Sequence, residues 1–213
     1  MKDIAIYGAG GFGREIACLI RQINNVEPQW KFIGFFDDGI PKCERNEYGT
    51  VLGGINDLNL WKKSISIVMA IGSPLTVKVL ADKISNPNVS FPNIIAPTTL
   101  FLDRNSVKMG HGNVICNRCT ISCNVTIGDF NIFNGYIPVG HDAIIGNYNV
   151  FMPSVNVSGG VEIGNCNFFG VQSVVLQYQN VGSNVRIGAN SVVMRTAKDG
   201  NLYMGNPATK VKL

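Results

Sequence analysis

The sequence predicts two folds in series: a small α/β domain with a parallel sheet, then a parallel β-helix. Three observations carry that prediction. Residues 1–95 alternate apolar runs with segments of helical spacing. From Met109 an apolar residue recurs at every sixth position. Glycine is abundant (24 residues) while charged residues make up 15% of the chain, which suits many tight turns and little exposed helix.

The first part, residues 1–95, opens with "KDIAIYG", a β-rich run ending in glycine. "GREIACLIRQI" then places Ile16, Leu19, Ile20 and Ile23 at helical spacing. "KFIGFFDD" predicts a second strand that ends in acids, and "INDLNLWKK" a short helix with Asn56 as its cap. "ISIVMAIG" predicts a third strand, and "SPLTVKVLADKI" a helix with Ser73 as N-cap and Pro74 in its first position. Strands separated by helices imply a parallel sheet. With about three core strands it amounts to half of a doubly wound, Rossmann-like fold.

The second part, residues 96–213, has a different grammar. Met109, Ile115, Ile121, Ile127, Phe133 and every sixth residue onward to Val193 are apolar, fifteen positions in all. Glycine follows in eight of the fifteen, and the position four after each is often small or Asn, as at Asn113, Asn131 and Asn149. No helix has this period. Stacked coils that bury a continuous core do.

Composition narrows the function. A net charge of +4 with no dense Lys/Arg run argues against nucleic acid or a membrane surface as partner and leaves room for a small anionic substrate. Six cysteines in a chain of 213 residues do not form a secreted disulfide framework. No leader pattern and no apolar run of spanning length is visible, so a reducing cytoplasmic setting is expected. "CNRC" (116–119) with Cys123 invites a zinc reading, but the hexad register sends Cys119 inward and the others elsewhere, so no metal is expected.

Two motifs carry chemistry. Gly8-x-Gly10-x-x-Gly13 follows a strand and opens a helix, with Asp37 and Asp38 closing the next strand. This is a phosphate-binding turn at a helix N-terminus, or a tight turn with no ligand. NAD is a poor fit, since the domain is short and the β-helix offers no hydride-transfer site. The second motif is "PVGHDAIIG", where His141 precedes Asp142 near a corner of the repeat. Asp142 could accept from Nδ1 and leave Nε2 as a base; a solvated corner histidine is the plain alternative. His111, thirty residues earlier, is read as structural or exposed.

"IYGAGGFGRE", the hexad array, "GHD" and the closing "GNPATKV" together resemble the bacterial sugar acetyltransferases of the left-handed β-helix acyltransferases. These include UDP-4-amino-sugar N-acetyltransferases and sialic-acid-pathway O-acetyltransferases. The resemblance implies three hexads per coil, a homotrimer, and an active site between neighbouring prisms. With eighteen residues per coil, Gly159 stacks on His141. The resemblance makes His141 the general base, Asp142 the acid that raises its basicity, and Gly159 N–H the oxyanion donor. The acetyl-CoA groove would include Gly159, Val171 and Ala189, with Gly205 and Pro207 flanking the adenine end. Val150 stands where relatives have a second histidine near the thioester sulfur. On the same carry-over Lys210 and Lys212 would meet CoA phosphates, although a basic tail accounts for them more simply. In the front domain Gly10, Gly11 and Phe12 would lie near phosphate and sugar, Asp37 and Asp38 near uridine, and Gly72 along the same pocket. Phe12 replaces a histidine found in some relatives.

The function expected is therefore acetyl transfer from acetyl-CoA to the amine of a UDP-linked amino sugar, with no metal. The alternatives are O-acetylation in the sialic acid pathway and a catalytically inert sugar-binding solenoid.

Overall fold

Alternation of apolar strand and amphipathic helix builds the first compact unit, Met1–Pro97. In this computed structural model, which describes residues 1–211, the elements run β1 (Lys2–Tyr7), α1 (Gly11–Val26), β2 (Trp30–Phe36), β3 (Val51–Gly53), α2 (Ile55–Asn59), β4 (Ile65–Met69), α3 (Pro74–Lys83) and β5 (Val89–Ser90). The sheet is parallel, in the order β3-β2-β1-β4-β5. Its central strand β1 buries Ile4, Ala5, Ile6 and Tyr7 in succession. A strand covered on both faces reads as a continuous apolar run rather than an alternating one. Helix α1 buries Ile16, Leu19, Ile20 and Ile23, the four residues whose spacing predicts it.

Two details differ from the sequence expectation. The sheet has five strands, not three, because β3 and β5 are three and two residues long and too short to leave a periodic signal. Asn56 lies inside α2 rather than capping it. Gly54 is the N-cap, and the Asp57 carboxylate three residues on accepts its N–H at 3.1 Å. Helix α3 starts as read, with Ser73 as N-cap and Pro74 in the first turn.

The second unit, from Thr98 onward, is a parallel β-helix. Three sheets form the faces of a prism, each built from two-residue rungs eighteen residues apart. Face one includes Thr120–Ile121, Pro138–Val139, Asn156–Val157, Val174–Val175 and Val192–Val193. Face two runs from Lys108–Met109 through Ile144–Ile145 to Asn180–Val181. Face three climbs from Val114–Ile115 through Val150–Phe151 to Arg186–Ile187, then Leu202–Met204, and ends on the antiparallel Thr209–Val211. Lys210 belongs to that last strand; Lys212 lies outside the described residues.

All fifteen hexad positions are the second residue of a rung, and fourteen of them are buried, Met109 being half-buried. Phe133, Phe151 and Phe169 stack with ring centroids 4.8 and 4.7 Å apart, the inter-strand spacing of a parallel sheet. The corners turn on residues in the left-handed region, one every six residues. Arg118, Asn124, Phe130, Tyr136, Asp142 and Tyr148 have φ between 54° and 59°. The backbone N–H at such a corner donates to the coil below, as Asp142 does to the Cys123 carbonyl at 3.1 Å.

Inside one edge a column of buried asparagines replaces apolar packing. Asn131, Asn149 and Val185 each donate a backbone N–H to the side-chain oxygen of the residue one coil below, Asn113, Asn131 and Asn167, at 2.7–2.9 Å. These amides satisfy backbone groups that the tight corner would otherwise bury unpaired. Among the described residues, no helix is long and apolar enough to cross a membrane.

Candidate active site

The edge between faces one and two carries Cys123, His141, Gly159 and Gln177 in one column, at eighteen-residue steps. Register places His141 and Gly159 on consecutive coils: Val139 pairs with Val157, and Gly160 N–H donates to the His141 carbonyl at 2.8 Å. The imidazole fills the space that glycine leaves. A Cβ on Gly159 would lie 2.6 Å from His141 Nε2. The other ring nitrogen, Nδ1, donates to Asp142 Oδ2 at 2.7 Å. The Asp142 carboxyl is held below the usual carboxylate range, first by that hydrogen bond and then by one from Asn124. An ionised carboxylate only accepts, so the proton of the neutral ring sits on Nδ1 and the Nε2 lone pair faces the bare rung. Both side chains are more than half exposed.

Comparison with the neighbouring edge shows what is missing here. On the His111 edge, a side-chain oxygen from the coil above accepts the backbone N–H of His111, Asp129, Asn147, Asn165 and Ser183, at 2.7–3.0 Å. His111 is tied into that ladder, its Nδ1 2.9 Å from Asp129 and its ring edge-on to Phe130. The His141 edge has no such ladder, because Cys123, His141, Gly159 and Gln177 offer no short acceptor at those places. Among the described residues, the Gly159 N–H has no partner. A backbone donor is thus left open beside an imidazole nitrogen, on an edge where the chain could have closed it.

The third edge brings together a different group. Val171 and Ala189 stack one coil apart, both exposed, and their N–H groups are likewise unpartnered among the described residues. The turn holding Gly205 and Pro207 docks above them, where Gly205 N–H donates to Ser191 Oγ at 3.0 Å and its carbonyl accepts from Val192. Within one chain this edge and the His141 edge are separated by face one, so the predicted groove residues divide between two edges. Val150 joins neither: it is 2% exposed, packed like Val114 and Ile132 below it, and its side chain is closed to a ligand. The six-residue pattern that reveals inward positions says nothing about which outward positions are covered.

A cavity of about 760 Å³ on face two was not anticipated. Ile144, Glu162 and Asn180 line it together with Gly164, Gly182 and Asp199, so it lies across face two toward the His111 edge and includes no residue of the His141 column. The arm after Val193, where the hexad rhythm stops, supplies its rim.

In the front domain Gly10 caps α1, Gly11 begins it, and Gly72 follows β4; an added Cβ at any of the three would meet open space. Gly8 takes φ +108° and approaches the Ala70 carbonyl, and Gly13 packs against Gly8, so these two serve the turn. Phe12 is half-buried in the first turn of α1. The acids hold the cradle. Asp37 accepts N–H groups from Ala9 and Gly39, both at 2.8 Å, and Asp38 accepts from Ile55 N–H at 2.8 Å and from the Tyr7 hydroxyl. Burial, reinforced by Asp38, pushes the Tyr7 hydroxyl far above its ordinary pKa, so it remains a donor.

Fold and site together define a class: a left-handed parallel β-helix, with a histidine–carboxylate pair on one edge, behind a small α/β domain of glycine-loop type. Within that class, residues 3–84 match the PglD N-terminal domain. No curated protein matches at the level of sequence. Solved structures do. WeeI from Acinetobacter baumannii AYE is 27% identical with a TM-score of 0.88, over 99% of this chain and 100% of that one. The acetyltransferase domain of PglB from Neisseria gonorrhoeae FA1090, in complex with acetyl coenzyme A, is 24% identical with a TM-score of 0.87, over 99% of each chain. A variant of perosamine N-acetyltransferase from Caulobacter crescentus, in complex with CoA and GDP-perosamine, is 24% identical with a TM-score of 0.85, over 100% of this chain and 98% of that one.

Proposed function

We propose that this protein is an acetyl-CoA-dependent N-acetyltransferase acting on a nucleotide-linked amino sugar. The observation that carries the reading is the imidazole laid over a side-chain-free rung beside an unpartnered N–H, in a prism whose neighbouring edge is closed by side-chain acceptors. His141 Nε2 takes a proton from the acceptor amine as its nitrogen attacks the thioester carbonyl. Gly159 N–H receives the oxyanion of the tetrahedral intermediate, a role whose loss typically costs about 100- to 1,000-fold in rate. Collapse of that intermediate breaks the C–S bond, and the protonated imidazole returns its proton to the departing thiolate. The amide of the sugar and free CoA are the products.

The remaining parts support this assignment. The cradle of Gly10, Gly11 and Gly72 suits a diphosphate at a helix N-terminus, with Phe12 beside the sugar. Asp37 and Asp38 shape that cradle and lie at the end where the nucleoside would rest. The resemblance read from the sequence implies UDP, and the Caulobacter protein holds GDP-perosamine, so the base is a variable of the assay. No step requires a metal. A cytoplasmic setting, where acetyl-CoA is made and thiols stay reduced, suits the reaction.

The division of the groove between two edges points to a homotrimer. If face one of three copies turns toward a common axis, each His141 edge meets the next copy's Val171–Ala189 edge. The open N–H groups of Val171 and Ala189 would then receive the pantetheine amides. Face one is suited to this, since Leu100, Leu102 and Met194 are 55%, 62% and 42% exposed on it.

The test is release of free thiol from acetyl-CoA with amino sugars linked to UDP, GDP and dTDP, and with free sugars. Turnover is expected with a nucleotide-linked amine. Turnover with hydroxyl acceptors alone would replace the N-acetyl reading with O-acetylation, and binding without turnover would leave an inert sugar-binding solenoid.

A further inference from the structure

The carboxylate behind His141 has a second donor. Asn124 lies one coil below Asp142, and its Nδ2 donates to Asp142 Oδ1 at 3.1 Å. His141 occupies the other oxygen, Oδ2. The two donors therefore take one oxygen each and fix the plane of the carboxylate. Asn124 is itself anchored. Other corner residues of this kind donate their backbone N–H to a carbonyl one coil below, as Phe130 and Tyr148 do. Asn124 instead donates to the Ser106 hydroxyl oxygen at 2.9 Å, in the short helical turn Arg104–Ser106 that Asp103 caps. Ser106 in turn donates to the Asp103 carbonyl at 3.0 Å. Above Asp142 the same column has Gly160, whose side-chain space is taken by the Tyr178 ring from the next coil, so the donors that hold the carboxylate come from His141 beside it and Asn124 below.

We infer that Asn124 is a positioning residue that orients the Asp142 carboxylate and thereby holds His141 in the Nδ1–H form, with Nε2 directed at the Gly159 rung. This inference rests on the acetyltransferase reading for its effect on rate, but not for its effect on the imidazole. Without the Asn124 amide, the exposed Asp142 carboxylate can rotate to water, and the imidazole loses the partner that selects its tautomer. The hydrogen bond also contributes to the low pKa of Asp142.

The experiment exploits a chain with two histidines. Full-length protein labelled with ¹⁵N-histidine shows two imidazoles in long-range ¹H–¹⁵N spectra, and a His111→Asn variant assigns them. Asn124→Gly is the informative variant, because Asn124 has φ +56° and glycine keeps that corner without strain. In the parent protein the neutral ring of His141 is expected as the Nδ1–H tautomer. In Asn124→Gly its signals move toward a mixture of tautomers while those of His111 stay in place. In turnover, kcat is expected to fall about three- to ten-fold with both KM values unchanged, and the same change in an Asp142→Asn background to cost nothing further. An unchanged His141 tautomer in Asn124→Gly overturns the inference, as does a full additional loss in the Asp142→Asn background. Absence of turnover in the parent protein on every acceptor would refute the acetyltransferase reading instead, and the spectra would still decide the role of Asn124.

Discussion

A methyl group on Gly159 would lie 2.6 Å from His141 Nε2, well inside van der Waals contact. Gly159→Ala is therefore expected to displace the imidazole and lower kcat by about 100-fold, the lower range for loss of a general base. Its thermal midpoint should stay within a few degrees of the parent, because the edge is exposed. A variant of full activity would mean that the ring does not work from this rung. Much at this scale was legible in the sequence. His141 and Asp142 stood out as a motif, and the family resemblance, which implies three hexads per coil, added the glycine eighteen residues on. Asn124 could not, because it lies one coil away in the opposite direction and belongs to no motif. Nor could the burial of Val150, since periodicity separates inward from outward positions but does not reveal which outward rows are covered.

Within elements, the six-residue rhythm predicts the inward row with no exceptions over fifteen positions. It works because each rung is two residues long and each corner has one fixed left-handed residue, so no slack accumulates between coils. The front sheet was read less completely. Its long strands announce themselves, while β3 and β5 are held by pairing with neighbours and carry no pattern of their own. The asparagine column makes a stability prediction. Asn149 donates to Asn131 Oδ1 and to the Gly164 carbonyl at 3.0 and 2.9 Å, and accepts from Asn167 N–H at 3.0 Å, fully buried. Asn149→Ala leaves that carbonyl and that N–H without partners and should cost about 3 kcal/mol, the sum expected for two buried unpaired groups. Denaturant unfolding would measure it. A loss below about 0.5 kcal/mol, no larger than a surface change, would show that the column is not what stitches this edge.

For the whole molecule, two edges each hold part of one groove, so catalysis should depend on assembly. Leu100→Asp with Met194→Asp places two like charges at exposed positions of face one, outside the residues whose N–H groups are open on either edge. This double variant is expected to sediment as a monomer and to lose turnover while retaining the circular dichroism of the parent. A monomer of undiminished activity would place the complete site within one chain. The central claim is tested most directly by His141→Ala, assayed for thiol release from acetyl-CoA with the best nucleotide-linked amino sugar, alongside its sedimentation and its binding of CoA. The account predicts an unchanged assembly, retained CoA binding and turnover reduced by at least about 100-fold. Turnover equal to the parent, from the same assembly with CoA bound, would contradict it.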